Sequence, residues 1–91
     1  MAEAKEILAY SQCDIPLSER IEYAKGHNPS LLEFLADDEN EYVRYLVARN
    51  NAINPKTLEK LSYDKEVAVR RAVAGNSHTP QGTLDRLSKD D

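Results

Sequence analysis

Leucine, valine and charged residues recur along this chain at a fixed interval of 26 residues. Three columns extend over three repeats: Leu32, Leu58 and Leu84; Leu35, Leu61 and Leu87; and Asp38, Asp64 and Asp90. Four columns extend over two: Val43 and Val69, Arg44 and Arg70, Val47 and Val73, and Asn50 and Asn76. Self-similarity at one period is typical of proteins whose units bury their apolar faces against their neighbours. The pattern therefore predicts a row of similar units.

A proline preceded by a capping residue opens each unit. The three pairs are Asn28-Pro29, Asn54-Pro55 and Thr79-Pro80. An Asn or Thr side chain accepts a hydrogen bond from a free amide at a helix start, and Pro at the first helical position lacks only a donor that would have no partner. The leucine spacing that follows predicts short helices over residues 29–36 and 55–62.

A second helix is predicted after each short one. Asp38 and Asp64 stand where its N-cap is expected, and Glu41, three residues after Asp38, would complete a capping box. The apolar positions have the one-sided spacing of an amphipathic helix: Val43, Leu46 and Val47, then Val69, Ala72 and Val73. Helices this short are marginal in water, so stacking between units has to stabilise them.

Two more helices are predicted ahead of the first repeat, over residues 2–11 and 16–25, with Gly26 as the terminator. They form a degenerate first unit. The predicted organisation is one helical-repeat domain over residues 1–91, with capping helices in 1–27, repeat 1 in 28–53, repeat 2 in 54–78 and a partial repeat 3 in 79–91. The partial repeat stops where its second helix is expected, which predicts one of three situations: a frayed natural end, a piece of a longer array, or an open carboxy-terminal end that a partner or, by self-association, a second copy covers.

Two short strings occur twice each. Asp-x-x-x-x-Val-Arg spans Asp38 to Arg44 and Asp64 to Arg70, and Val-Ala-x-Asn ends at Asn50 and at Asn76. Together with the capped prolines, over residues 28–91, they resemble the leucine-rich repeat variant, a family of the HEAT-like helical solenoids. The resemblance implies an all-α fold, a short right-handed α-solenoid of two-helix repeats in which the short helix is α or 3₁₀. It implies no single activity, because such scaffolds mostly bind proteins and some HEAT-like relatives bind nucleic acid.

The recurring Asp and Arg residues have two explanations. In HEAT-like repeats such columns pair between units, so the resemblance implies a structural ladder that starts at Asp38 and pairs Arg44 with Asp64 and Arg70 with Asp90. The alternative is a basic row of arginines that follows a phosphate backbone. Opposite charges that recur with the period of the fold satisfy one another more simply than they recruit a ligand, which favours the ladder.

The second helix of repeat 1 carries the main candidate binding residues. Tyr42, Tyr45 and Arg49 share one side of it, because offsets of three and seven residues return to the same helix face, and Tyr and Arg are enriched at binding hot spots. Their equivalents in repeat 2 are Ala68, Arg71 and Gly75, of which Arg71 joins the candidates. The other explanation is that the amphipathic tyrosine rings only cover the neighbouring helix.

The charge balance disfavours a general polyanion binder. The chain has 12 basic and 16 acidic residues, a formal net charge of −4. The distribution is uneven, since residues 1–41 carry three basic and ten acidic residues and residues 42–91 carry nine and six. Nucleic-acid binding through this basic carboxy-terminal half is therefore the alternative function. Its residues would be Arg49, Arg70, Arg71, Lys56 and Lys60.

Neither catalytic residues nor a cofactor or metal site is expected. His27 and His78 fall in equivalent loops about 20 Å apart, too far to share a metal, and neither assembles with a nucleophile. A relative of the family carries an iron–sulfur cluster, but one thiolate, that of Cys13, cannot hold a cluster that needs about four ligands. The single cysteine, and the lack of a signal or a bilayer-spanning run, predict a cytoplasmic protein with no membrane partner. The sequence thus predicts a non-catalytic protein–protein interaction scaffold.

Overall fold

The computed structural model describes residues 15–89, and these residues form six α-helices and no β-strand. The helices are α1 (Leu17–Ala24), α2 (Pro29–Leu35), α3 (Glu41–Arg49), α4 (Pro55–Leu61), α5 (Val67–Gly75) and α6 (Gln81–Ser88). The prediction of an all-helical fold is confirmed for this part of the chain. The helix predicted over residues 2–11, together with Cys13 and Asp90, lies outside the described residues.

Short and long helices alternate, and the long ones pack on one another. The seven-residue helices α2 and α4 flank the nine-residue α3, and α5 also has nine residues. The most extensive contacts join α3 to α5 and α1 to α3, while α2 and α4 each contact the long helices before and after them. All the helices of residues 15–89 are α-helices, so the 3₁₀ form allowed by the resemblance does not occur there.

The columns that repeat in the sequence supply most of the large side chains of the core. Leu32 and Leu58 are completely buried, whereas Leu84, the equivalent residue of the last described helix, is half-buried. The valine columns of the long helices are buried as well: Val43, Val47, Val69 and Val73. Each fully buried Leu or Val side chain contributes about 1.5–3 kcal/mol through removal of apolar surface from water. The 26-residue period is therefore a period of core positions.

Asparagine side chains cap three helices. The Oδ1 atoms of Asn28, Asn40 and Asn54 accept hydrogen bonds from backbone amides in the first turns of α2, α3 and α4. The caps predicted at Asn28 and Asn54 are therefore present, but the prediction for Thr79 is wrong. The Thr79 hydroxyl is buried and donates to the Val73 carbonyl at 2.6 Å, and α6 begins after Pro80.

The prediction that Asp38 and Asp64 cap the long helices is also wrong. The N-cap residues of α3 and α5 are Asn40 and Glu66, each two residues further along. Each aspartate instead accepts a hydrogen bond of 2.9 Å from the backbone N–H of that N-cap residue, which is the geometry of an Asx turn. Glu41 is the first residue of α3, so it does not stand at the third helical position that a capping box requires.

Two asparagines join the carboxy-terminal ends of successive long helices. The side-chain amide of Asn50 donates to the carbonyl oxygens of Ala24 and Gly26, at 2.9 and 2.6 Å. Asn76 donates in the same way to the carbonyls of Ala48 and Asn50, at 2.9 and 3.1 Å. Because carbonyls at a helix end have no partner within their own helix, this column connects each unit to the one before it.

None of the helices in residues 15–89 combines the length and the apolar character that a bilayer crossing requires.

Candidate functional site

Arg44 connects two units through a buried ion pair. Its Nε and Nη2 atoms donate to Asp64 Oδ2 and Oδ1 at 2.7 and 3.3 Å, and the two side chains are only 10% and 8% exposed. Its Nη1 donates to the Asp38 carbonyl oxygen at 2.7 Å. The pair expected from the family resemblance is thus present, with the two-point geometry in which guanidinium–carboxylate interactions are strong.

Arg20 extends this ladder by one unit, which the 26-residue pattern did not predict. Its Nε lies 2.8 Å from Asp38 Oδ2, a buried charge contact without the alignment of a hydrogen bond, and its Nη1 donates to the Ile15 carbonyl at 2.5 Å. The interval from Arg20 to Arg44 is 24 residues, so a search at a fixed period of 26 does not find it. A usable signal was the Asp-x₅-Arg spacing, which also occurs at Asp14 to Arg20.

Arg70 has the same orientation toward the backbone as Arg44. Its Nη1 donates to the Asp64 carbonyl oxygen at 2.7 Å, and its predicted partner Asp90 lies outside the described residues. Since Arg44 is buried and Arg70 half-buried, and both bond to the protein itself, they do not form a row of exposed cations. These structural contacts explain why arginine recurs at this position of the repeat.

The remaining candidate residues line a groove between two long helices, which we name the α3–α5 groove. Its larger part has a volume of about 590 Å³, with Tyr45 and Arg49 on the α3 side and Arg71 on the α5 side. A second part of about 380 Å³ adjoins it, and Tyr42 lines this part. Tyr45 and Ala68 line both parts, so the two parts are neighbours along the boundary between α3 and α5.

Tyr42, Tyr45 and Arg49 contact one another along α3. The two tyrosine rings are stacked, with centroids 6.1 Å apart and an angle of 21° between the planes. The Arg49 guanidinium lies 5.6 Å from the centre of the Tyr45 ring and donates to the Tyr45 hydroxyl at 3.0 Å. Tyr45 also packs against the core, whereas Tyr42 is 47% exposed. Covering the helices therefore accounts for part of each tyrosine, and about half of Tyr42 remains exposed.

Charges of opposite sign line the two parts of the groove. Arg49 and Arg71 line the larger part, and neither forms an ion pair with any carboxylate of residues 15–89. Glu41 and Glu66 line the smaller part, again without a basic partner in the described part of the chain. The two glutamates were not predicted as site residues, because only the packing of α5 against α3 brings them together.

The basic residues suggested for nucleic-acid binding are distributed over several surfaces. Arg49 and Arg71 line the α3–α5 groove, and Arg70 belongs to the ladder. Lys60 forms a surface ion pair of 2.5 Å with Asp37, in a separate concavity. Lys56 is exposed in the first turn of α4.

A second arginine–tyrosine contact, which was not predicted, joins α6 to the end of α4. The Arg86 guanidinium lies 3.8 Å from the centre of the Tyr63 ring and donates to the Ser62 hydroxyl. His27 and His78 are both exposed, in the connections before α2 and α6. No group of three or more potential metal ligands occurs among residues 15–89.

Comparison with known families supports the resemblance stated above. Residues 67–91 match the family described as leucine rich repeat variant. The matched segment includes α5 and α6. Neither the curated proteins nor the solved structures include a match to the chain.

Proposed function

We propose that this leucine-rich-variant repeat chain is a non-catalytic scaffold that binds a protein partner in the α3–α5 groove. The observation that supports this most directly is the convergence of Tyr42, Tyr45, Arg49 and Arg71 on one groove. Tyrosine and arginine dominate the residues that contribute most to binding energy at protein interfaces. Tyr42 lines the smaller part of the groove and is 47% exposed, so a partner side chain would pack against it.

The proposed architecture is a short right-handed solenoid. Contacts of α3 with both α1 and α5 support it, as do the asparagine and arginine columns that join consecutive units. In such arrays each unit contacts only its neighbours, so the outer sides of equivalent helices form one extended surface. The α3–α5 groove would then be the space between two neighbouring members of that surface.

Two of the groove side chains, Arg49 and Tyr45, have ordering contacts before any partner binds. Arg49 is fixed by its hydrogen bond to the Tyr45 hydroxyl and by its position over the ring. Tyr45 is in turn packed on the core. Side chains that are already ordered lose less conformational entropy when they bind, which favours affinity.

Selection from a random peptide library against the full chain tests this function. Selected peptides should bind the double variant Tyr42→Ala/Arg71→Ala at least about tenfold more weakly, as expected when hot-spot residues are lost. The matched control, Tyr63→Ala/Lys56→Ala, removes the same kinds of exposed side chain from outside the groove and should bind as the unchanged protein does. Peptides that bind both double variants equally well would contradict the proposal.

Nucleic-acid binding is the second candidate, supported by the absence of carboxylate partners for Arg49 and Arg71 in residues 15–89. It predicts retention on a polyanion column at low salt and a steep loss of affinity as salt increases. Arg71→Ala should weaken that binding further. A chain that passes through the column at low salt would remove this candidate.

A further inference from the structure

The two parts of the α3–α5 groove carry charges of opposite sign. Arg49 and Arg71 line the larger part, Glu41 and Glu66 line the smaller part, and Tyr45 lines both. Within residues 15–89 none of the four charged side chains forms an ion pair. Glu41, Arg49 and Arg71 are exposed and Glu66 is half-buried, so water solvates these charges, and a ligand of complementary charge would replace that water.

We infer that the groove binds an extended peptide segment of a partner protein that carries a carboxylate at one end and a basic side chain at the other, with an aliphatic residue between them. This inference rests on the proposed function and adds the chemistry of the partner. The forked guanidinium groups of Arg49 and Arg71 suit a carboxylate. The glutamates suit a Lys or Arg, and the aliphatic side chain packs against Tyr45 and Ala68.

The length of the groove sets the spacing of the two charges in the ligand. Glu41 and Arg49 are eight residues apart on α3, which corresponds to about 12 Å along a helix axis. An extended peptide advances about 3.3 Å per residue. The acidic and the basic residue of the ligand are therefore about four positions apart, which fits a core such as Lys-Val-Leu-Val-Glu.

The charge pattern favours such a peptide over a nucleic acid. A nucleic-acid strand carries a phosphate at every nucleotide, so a strand along the groove would place negative charge beside Glu41 and Glu66. Like charges at close range are unfavourable and reduce both affinity and association rate. The formal net charge of −4 also disfavours the binding of a nucleic acid. A ligand with one sign at each end avoids this repulsion.

Gly75 offers a way to fill the groove without disturbing the fold. It lines the larger part of the groove, and a Cβ added there meets no other atom within 4 Å. Leu is also a better helix former than Gly. The variant Gly75→Leu should therefore fold normally and occupy the space of the ligand.

The test measures binding of labelled peptides to the full chain by fluorescence anisotropy. Lys-Val-Leu-Val-Glu should bind at least about tenfold more tightly than each of three control peptides: Glu-Val-Leu-Val-Glu, Lys-Val-Leu-Val-Lys and Gln-Val-Leu-Val-Gln. The loss of one charge-assisted contact is enough to weaken binding by this factor. Gly75→Leu should abolish the binding. Arg49→Glu/Arg71→Glu should reverse the preference, so that the peptide with two lysines binds best. Circular dichroism melts identify variants that fold.

The outcomes separate this inference from the proposed function. Suppose that library-selected peptides need the groove. If the four synthetic peptides then bind equally well, or if Lys-Val-Leu-Val-Glu does not bind, the inferred charge pattern is wrong and the scaffold function stands. If neither selected nor synthetic peptides respond to the groove variants, both fail. Tighter binding of a single-stranded oligonucleotide that depends on Arg49 and Arg71 would overturn the inference in favour of nucleic acid.

Discussion

The side-chain amide of Asn76 donates to the backbone carbonyl oxygen of Ala48, at 2.9 Å, across 28 residues of chain. Ala48 lies in the last turn of α3, where carbonyls have no partner within the helix. The bond therefore joins the carboxy-terminal ends of α3 and α5, while Arg44 and Asp64 join the regions near their amino-terminal ends. Two sets of polar contacts, one at each end of the long helices, hold α3 and α5 side by side and so shape the groove between them.

Asn76→Ala is expected to destabilise the protein by about 1–3 kcal/mol, because it leaves buried carbonyls without a donor. Asn51→Ala removes an exposed asparagine nearby and should change the free energy of unfolding by less than about 0.5 kcal/mol. Urea denaturation measures both values. Similar losses in the two variants would show that the asparagine column does not join the units.

Arg44→Ala and Asp64→Ala should each cost about 3–5 kcal/mol, since each leaves the other charge buried without its partner. The double variant should cost clearly less than the sum of the two, because the second substitution removes the charge that the first exposed. The free energies of unfolding of the four proteins give the coupling. If the two losses of stability were additive, the interaction between Arg44 and Asp64 would not contribute to the free energy of unfolding.

Arg70 and Arg71 are adjacent in sequence and should behave in opposite ways. Arg70 is half-buried and donates to the Asp64 carbonyl, so Arg70→Ala should cost about 1–3 kcal/mol of stability. Arg71 is exposed, and its substitution by Ala should cost less than about 0.5 kcal/mol while it weakens peptide binding. Thermal melts and a binding titration on both variants separate the two roles. Equal destabilisation by the two substitutions would contradict the assignment.

The sequence pattern predicted the helices well where the signal was local. Pro29 and Pro55 begin α2 and α4 as expected, and the predicted ends are one residue beyond the observed ones. The apolar columns became core positions, because a repeat conserves its own buried face along the chain. Helical spacing also placed Tyr42, Tyr45 and Arg49 on one side of α3.

The sequence pattern gave wrong predictions where the role of a residue depends on a partner that is distant in the chain. Asp38 and Asn40 are both good N-cap residues by type, and they are separated by one position. Asp38 instead turns its carboxylate to the N–H of Asn40 and to Arg20 in the preceding unit. The acidic part of the groove was missed for a related reason, since Glu41 and Glu66 are brought together only by helix packing.

Asn40, and not Asp38, is the N-cap residue of α3, which can be tested by substitution. Asn40→Ala should cost about 1 kcal/mol, because the first-turn amides of α3 lose their acceptor. Glu41→Ala should cost less than about 0.5 kcal/mol, since Glu41 does not take part in a capping box. Chemical denaturation of the two variants compares them. A larger cost for Glu41→Ala than for Asn40→Ala would restore the capping box that the sequence predicted.

The central claim is that a partner peptide binds between α3 and α5. The most direct measurement follows the backbone amide resonances of the isotope-labelled full chain by NMR during titration with a peptide selected from the random library. We expect the largest shift changes at Tyr45, Arg49, Ala68 and Arg71, with little change in α2, α4 and α6. Shift changes concentrated on those short helices, or no change at saturating peptide, would contradict the claim.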